Sequence, residues 1–244
     1  MTPSYPDPAK VNTYYERPVL DRVTGCYTVD LGNGDSIRRH NRLVDLQGER
    51  PSWSSVKRLP LTFWTWLQTR RKPLLRKPLP LLTWDSIQFL KESLPNQADV
   101  VEVGAGNSTL WMLAQGARVT TIEHSPEWSK LVQEAAIERF GEGITDRFTL
   151  HVAEGEEALE RLSELPRASV DLALVDSANA HTQRWRAMTA LRTKVRPGGL
   201  MALDNSDHPN NWGAAGLLAD LPSLRFTGFG PMCAVVTQTQ IWRL

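Results

Sequence analysis

Glu102-Val-Gly-Ala-Gly-Asn-Ser-Thr109 sets a carboxylate and two glycines, one residue apart, directly ahead of three small polar residues. This set suits an anionic ligand. Gly104 and Gly106 let the backbone turn sharply and approach a bound group. Asn107, Ser108 and Thr109 can cap a helix, whose first N–H groups then point into the turn. Glu123 closes a second apolar run, Arg118–Glu123, and an acid beside such a turn can accept both hydroxyls of a ribose. A dinucleotide fingerprint needs a third small residue where this chain has Thr109, so that ligand is disfavoured. Asp176 ends the apolar run Val170–Asp176, and Asp204 and Asn205 end another. His208 is a candidate general base, since imidazole titrates near neutral pH, and His181 is its rival.

These residues must be placed by alternating elements. The pattern predicts strands near 99–103, 118–123, 148–153, 170–176 and 199–204, with helices near 107–115, 126–139, 155–164, 181–194 and 211–220. Strands near 224–229 and 233–243 finish the chain, and without a helical crossover they must pair antiparallel. The expectation is an α/β fold: a mostly parallel seven-stranded sheet with an antiparallel last strand and helices on both faces. Ligands on such sheets bind beyond the carboxyl ends of the strands. That rule puts Glu102, Gly104, Glu123, Ala153, Glu154, Asp176, Asp204 and Asn205 on one rim.

From residue 80 onward the chain resembles the Rossmann-like, class I S-adenosylmethionine-dependent methyltransferases. Val101-Glu-Val-Gly-Ala-Gly106 is similar to their methionine-binding motif, and Thr121-Ile-Glu-His-Ser-Pro126 to their ribose-binding motif. Leu150-His-Val-Ala-Glu-Gly155 is similar to the adenine-side motif, Val170–Asp176 to the fourth strand with its active-site acid, and Val195-Arg-Pro-Gly-Gly199 to the turn before strand five. Closest is a bacterial group with Gly-x-Gly-Asn-Ser-Thr in the first motif, Asp-Asn-Ser-Asp after strand five (Asp204–Asp207) and a terminal Gly-x-Gly-Pro (Gly228–Pro231). The resemblance implies S-adenosylmethionine as cofactor. Its site would comprise Glu102, Gly104, Ala105, Gly106, Ser108, Thr109, Glu123, His124, Ala153, Glu154 and Asp176, with His124 beside the adenine.

Asp176, Asp204 and Asn205 sit on strands that neighbour each other in this topology, and two carboxylates and an amide oxygen suit one hard divalent cation. The same types in the same places resemble the magnesium ligands of the catechol O-methyltransferases. That family has a lysine three residues after the first aspartate, where this chain has Asn179. Without a metal, Asp176 would touch substrate or the methionine amine while Asp204 and Asn205 cap the next loop. Asp176, Asp204 and His208 are therefore the catalytic candidates. The implied reaction is methyl transfer to a small molecule, with oxygen as acceptor. The alternatives are a macromolecule methyltransferase and a noncatalytic cofactor-binding subunit.

Composition bounds the rest. The chain has 244 residues, 41% apolar, and a formal net charge of +1, which argues against a dedicated nucleic-acid binder. No apolar run is long enough to span a bilayer, and the polar, proline-bearing Met1-Thr-Pro-Ser-Tyr-Pro start does not read as a secretory signal. Cys26 and Cys233 form no disulfide framework, so a reducing cytoplasm is expected, with the oligomeric state left open. Residues 1–79 read as an extension serving as lid or substrate wall, and residues 80–244 as the cofactor-binding domain. Within the extension, Gly25–Asp35 reads as a hairpin around Asn-Gly, Pro60–Leu67 as an aromatic helix, and Arg70–Pro80 as a basic linker. Trp53, Trp64, Trp66 and Trp84 either wall a substrate pocket or pack the extension onto the domain.

Overall fold

A computed structural model describes residues 19–20, 27–30, 36–39, 42–69, 75, 78–177 and 184–244. Cys26, the Asn-Gly turn, Asn179, His181 and residues 70–74, 76 and 77 of the basic linker lie outside these residues.

A small antiparallel sheet comes first: β1 (Val19–Leu20), β2 (Tyr27–Asp30) and β3 (Ser36–Arg39). Strands β2 and β3 pair antiparallel with Asp30 opposite Ser36, so the returning strand begins just after the span 25–35 read as the hairpin. Three helices follow, α1 (Trp53–Lys57), α2 (Leu59–Thr69) and α3 (Trp84–Ser93). The main domain then alternates: β4 (Asp99–Val103), α4 (Asn107–Ala114), β5 (Arg118–Glu123), α5 (Pro126–Phe140), β6 (Phe148–Val152), α6 (Gly155–Glu164), β7 (Val170–Val175), α7 (Arg184–Arg192) and β8 (Val195–Asp204). Helix α8 (Pro209–Gly216) leads to β9 (Ser223–Gly230) and β10 (Cys233–Arg243).

The seven strands of the main sheet run β6-β5-β4-β7-β8-β10-β9. The first five are parallel, and β10 is antiparallel to both β8 and β9. Helices need both faces of such a sheet, so its strands alternate between two apolar layers. Val100, Leu172, Leu174 and Ala202 pack with Trp84, Leu90, Leu110 and Leu113 on one face. Val101, Val103, Ala173, Val175 and Leu203 pack with Leu162, Met188 and Leu191 on the other.

Two boundaries differ from the sequence reading. Strand β8 begins at Val195, and its pairing with β7 shifts register between Val170 and Leu172. Helix α8 begins at Pro209, because His208 caps it and Pro209 has the φ a first turn needs.

Residues 42–69 of the extension are bound to the β9–β10 side of the sheet. The Ser52 N–H donates to Thr227 O, the Val236 N–H to Arg42 O, and the Phe229 N–H to Ser55 Oγ at 2.7 Å. Gly228 makes this contact possible, since a Cβ there would stand 2.2 Å from Ser55 Oγ; at Gly230 a Cβ would stand 2.3 Å from Leu82 O, which follows the extension. Helix α2 is turned polar side inward. Thr62 and Thr65 are buried, bonding Trp84 Nε1 and the Met232 N–H, while Leu61, Phe63 and Trp64 face outward. Of the four tryptophans, Trp84 is therefore a packing residue, whereas Trp53 and Trp64 are exposed.

Candidate cofactor-binding and transfer site

Register brings the strand ends level. Val103 pairs with Ile122 on one side and with Val175 on the other, and Val175 with Leu203. The residues that follow, Gly104, Glu123, Asp176 and Asp204, therefore share one rim. A cavity of about 380 Å³ opens there, lined by Gly104, Gly106, Asn107, Ser108, Glu123, His124, Trp128, Asp176 and their neighbours.

The glycine loop is held from three directions. The Gly106 N–H donates to Thr109 Oγ1 at 2.9 Å, and the Thr109 hydroxyl donates to the Glu102 carboxyl. Thr121 donates to the same Glu102 oxygen at 3.1 Å. Glu102 is fully buried beneath the loop, and burial pushes its pKa up to about 8 against the pull of the surrounding hydroxyls. From the second strand, Glu123 Oε2 accepts the Ala105 N–H at 2.8 Å and Oε1 accepts the Ser125 N–H at 2.9 Å. His124 Nδ1 lies 2.7 Å from Oε1. From α5, Trp128 Nε1 donates to Ala105 O at 2.8 Å.

The two glycines do different work. Gly104 has φ +97°, and a Cβ there would stand 2.4 Å from Asp176 O, so its absence lets the end of β7 close on the loop. At Gly106 a Cβ would meet only the Trp128 ring, at 3.9 Å, so that glycine faces the cavity.

At the other side of the cavity Asp176 faces the end of β8. Arg184, the first residue of α7 and only 6% exposed, bonds Ser177 O at 2.9 Å, Asp204 O at 2.5 Å and Asp176 Oδ1 at 3.3 Å. Burial raises the Asp176 pKa while Arg184 opposes the rise. Asp204 is pushed well above the usual carboxylate range by burial and by the nearby Asp176 charge.

Among the sequence candidates, Gly104, Ala105, Gly106, Ser108, Glu123, His124 and Asp176 line the cavity. Glu102 and Thr109 support it from below. Ala153 is buried and bonds the Glu123 carbonyl through its N–H, and Glu154 holds the N-cap position of α6; neither is a lining residue. Asp204 and Asn205 stand behind Asp176, bonded to Thr239 and Thr237 of β10. His208 is buried at the α8 cap, its Nδ1 accepting the Asn210 N–H at 3.3 Å, away from the cavity wall. Asp207 is likewise structural: its carboxylate takes the Leu46 and Gln238 N–H groups and the Thr237 hydroxyl.

Sequence reasoning missed Leu81, Asn107, Ser125, Trp128 and Ser177 as lining residues, and Arg184 behind them. Ser125 and Trp128 carried a signal, since they open the helix that follows Glu123.

Residues 101–206 match a family model described as a methyltransferase domain. Over that stretch the chain is similar to a methyltransferase domain, and its sheet has the Rossmann-like fold. The domain is similar to the O-methyltransferase TomG from Streptomyces achromogenes, at 18% identity over 79% of this chain and 99% of that one, with a TM-score of 0.53. It is also similar to an O-methyltransferase from Bacillus cereus, at 18% identity over 80% and 92%, with a TM-score of 0.51. Of a methyltransferase from Thiobacillus denitrificans it spans about half, 54%, at 15% identity and a TM-score of 0.39. No curated protein sequence matches the chain.

The residues present fit the cofactor of such a domain. Asn107 Oδ1, on the cavity wall, is buried with no hydrogen-bond partner among the described residues, and the first turn of a helix such as α4 carries N–H groups that no intrahelical carbonyl takes, which suits an anionic end. They do not fit a divalent ion in the same way. Arg184 already holds one Asp176 oxygen and the Asp204 carbonyl, so a guanidinium stands between the two strand ends.

Proposed function

We propose that this methyltransferase acts on a small-molecule acceptor and that oxygen receives the methyl group. The observation that carries the reading is the cavity itself, which runs without interruption from the glycine loop to Asp176. Its size is that of a small-ligand pocket. Both similar structures are described as O-methyltransferases.

Bound S-adenosylmethionine supplies a methyl group already activated on a sulfonium. This chain then needs to orient and to exclude water. The start of α4 takes the methionine carboxylate, and Asn107 Oδ1 takes the amine. Glu123, steadied by two backbone N–H groups, offers its remaining lone pairs to the ribose. His124, Ser125 and Trp128 flank the base. Asp176 and Glu123 are the carboxylates on the cavity wall among the described residues, and Asp176 stands at the end away from the ribose position. It is placed to receive the proton an acceptor hydroxyl gives up. The extension, residues 1–79, acts on the acceptor side from behind, because the Leu46 N–H holds the Asp207 carboxylate and so the loop after β8.

Calorimetry with S-adenosylmethionine, with NAD as control, tests the cofactor. Metabolite extracts compared by mass spectrometry after incubation test the acceptor: a species heavier by one methylene is expected, and none would overturn the small-molecule reading. The outward Trp53, Phe63 and Trp64 favour a second reading, an acceptor carried by a macromolecule docked beside the domain. Methyl label appearing in bulk tRNA or protein rather than in metabolites would decide for it.

A further inference from the structure

The rim between β7 and β8 already holds a cation. Arg184 is nearly sealed from solvent, and three of its nitrogens are bonded: Nε to Ser177 O, Nη1 to Asp204 O and Nη2 to Asp176 Oδ1. The guanidinium thus joins the two strand ends and caps one oxygen of the carboxylate that faces the cavity. Asp204 Oδ1 accepts from the Thr239 hydroxyl at 2.8 Å. Asn205 sits at φ +51°, donates its amide to Thr237 Oγ1 at 3.1 Å, and receives Asn211 Nδ2 on its carbonyl.

A magnesium-type ion requires near-octahedral oxygens at short range, several of them water. Here two carbonyl oxygens and one carboxylate oxygen are directed at a guanidinium instead. A divalent ion would have to share Asp176 with a buried positive charge that cannot deprotonate. We propose that Arg184 is the resident cation of this rim: it positions Asp176 against the cavity and excludes a divalent metal from the site formed by Asp176, Asp204 and Asn205. Arg184 is thereby a positioning residue, acting through Asp176. The acceptor is held by hydrogen bonds rather than by chelation, so it needs no pair of adjacent oxygens.

The inference rests on the rim belonging to the transfer site, but its readout is metal binding, which holds or fails whatever the acceptor proves to be. The experiment is a Mn²⁺ titration of the full chain, followed by electron paramagnetic resonance, with and without S-adenosylhomocysteine. The wild-type protein is expected to bind no stoichiometric Mn²⁺ at millimolar concentration. Arg184→Gln is expected to gain one site, which a second change, Asp176→Asn, removes again. Arg184→Lys, which keeps the charge, is expected to bind none. A role confined to packing would weaken the fold in the Gln and Lys variants alike and create no site in either. Stoichiometric Mn²⁺ on the wild-type protein, lost in Asp176→Asn, would overturn the proposal, and so would a folded Arg184→Gln protein that binds none. If Arg184→Gln does not fold, the wild-type protein decides alone. The Arg184 Nε–H resonance must survive added Mn²⁺, and paramagnetic broadening of that signal would place the ion at the rim.

Discussion

Glu123 Oε2 accepts the Ala105 backbone N–H at 2.8 Å, so the acid expected to hold a ribose also ties the glycine loop to the end of β5. Its other oxygen takes the Ser125 N–H and so fixes the start of α5. Glu123→Ala should therefore act twice. Loss of a charged hydrogen-bond partner costs about 1.5–3 kcal/mol, which lowers S-adenosylmethionine affinity about ten- to a hundredfold. The melting temperature should fall as well, because two N–H groups lose their acceptor. Calorimetry and thermal melting check the pair, and unchanged affinity would remove Glu123 from the site.

Gly104 and Gly106 should separate stability from binding. At Gly104→Ala the new Cβ meets Asp176 O at 2.4 Å on a backbone with φ +97°, so a loss of about 1–3 kcal/mol or more is expected. At Gly106→Ala the nearest atom is 3.9 Å away, so stability should change by less than about 1 kcal/mol. Cofactor affinity should drop all the same, since the methyl enters the cavity. Urea unfolding and calorimetry on both variants test this contrast.

Glu102 predicts a pH dependence of stability. Its carboxyl is raised from 4.5 to about 8 by burial, so the folded chain binds a proton that the unfolded chain gives up. The contribution is fully present below about pH 4.5 and is lost as pH rises toward 8, with a slope of up to about 1.4 kcal/mol per pH unit. Glu102→Gln still offers an oxygen to Thr109 and Thr121 but carries no ionisable proton, so it should flatten that slope. Unfolding curves at intervals of one pH unit measure it. Parallel profiles for the two proteins would mean that Glu102 is ionised in the fold.

The extension should matter to folding before it matters to binding. Removing residues 1–79 strips the Leu46 N–H from Asp207, Asp45 from Gln238, Ser55 Oγ from the Phe229 N–H and Thr65 Oγ1 from the Met232 N–H. A chain starting at Pro80 is expected to precipitate. Gly228→Ala is the milder probe: its Cβ would stand 2.2 Å from Ser55 Oγ, enough to disturb docking at a cost of about 1–3 kcal/mol. Cofactor affinity should be retained, because neither residue lines the cavity. Loss of affinity in this variant would show that the extension reaches the cofactor.

The sequence by itself determined the alternation of elements, the antiparallel finish and the rim. These follow from local signals: apolar runs, two glycines in a turn, an acid closing each strand. Hence Gly104, Glu123 and Asp176 were legible with the strands that carry them. Only the tertiary structure decided which rim residues face the cavity. Asp204 ends β8 and Asn205 and His208 follow it closely, as Asp176 follows β7, yet β10 supplies Thr239 and Thr237 to the first two and α8 takes the third as its cap. Arg184 was illegible for the same reason. Nothing local marks it among the chain's many arginines, and its meaning comes from three acceptors that chain folding brings together: Asp176 and Ser177, eight and seven residues before it, and Asp204, twenty residues after it. The purpose of Gly228 was hidden likewise, because the atom it makes room for, Ser55 Oγ, lies far away in sequence. Local periodicity specifies where a strand ends; which side chains meet beyond that end depends on packing between segments distant in the chain.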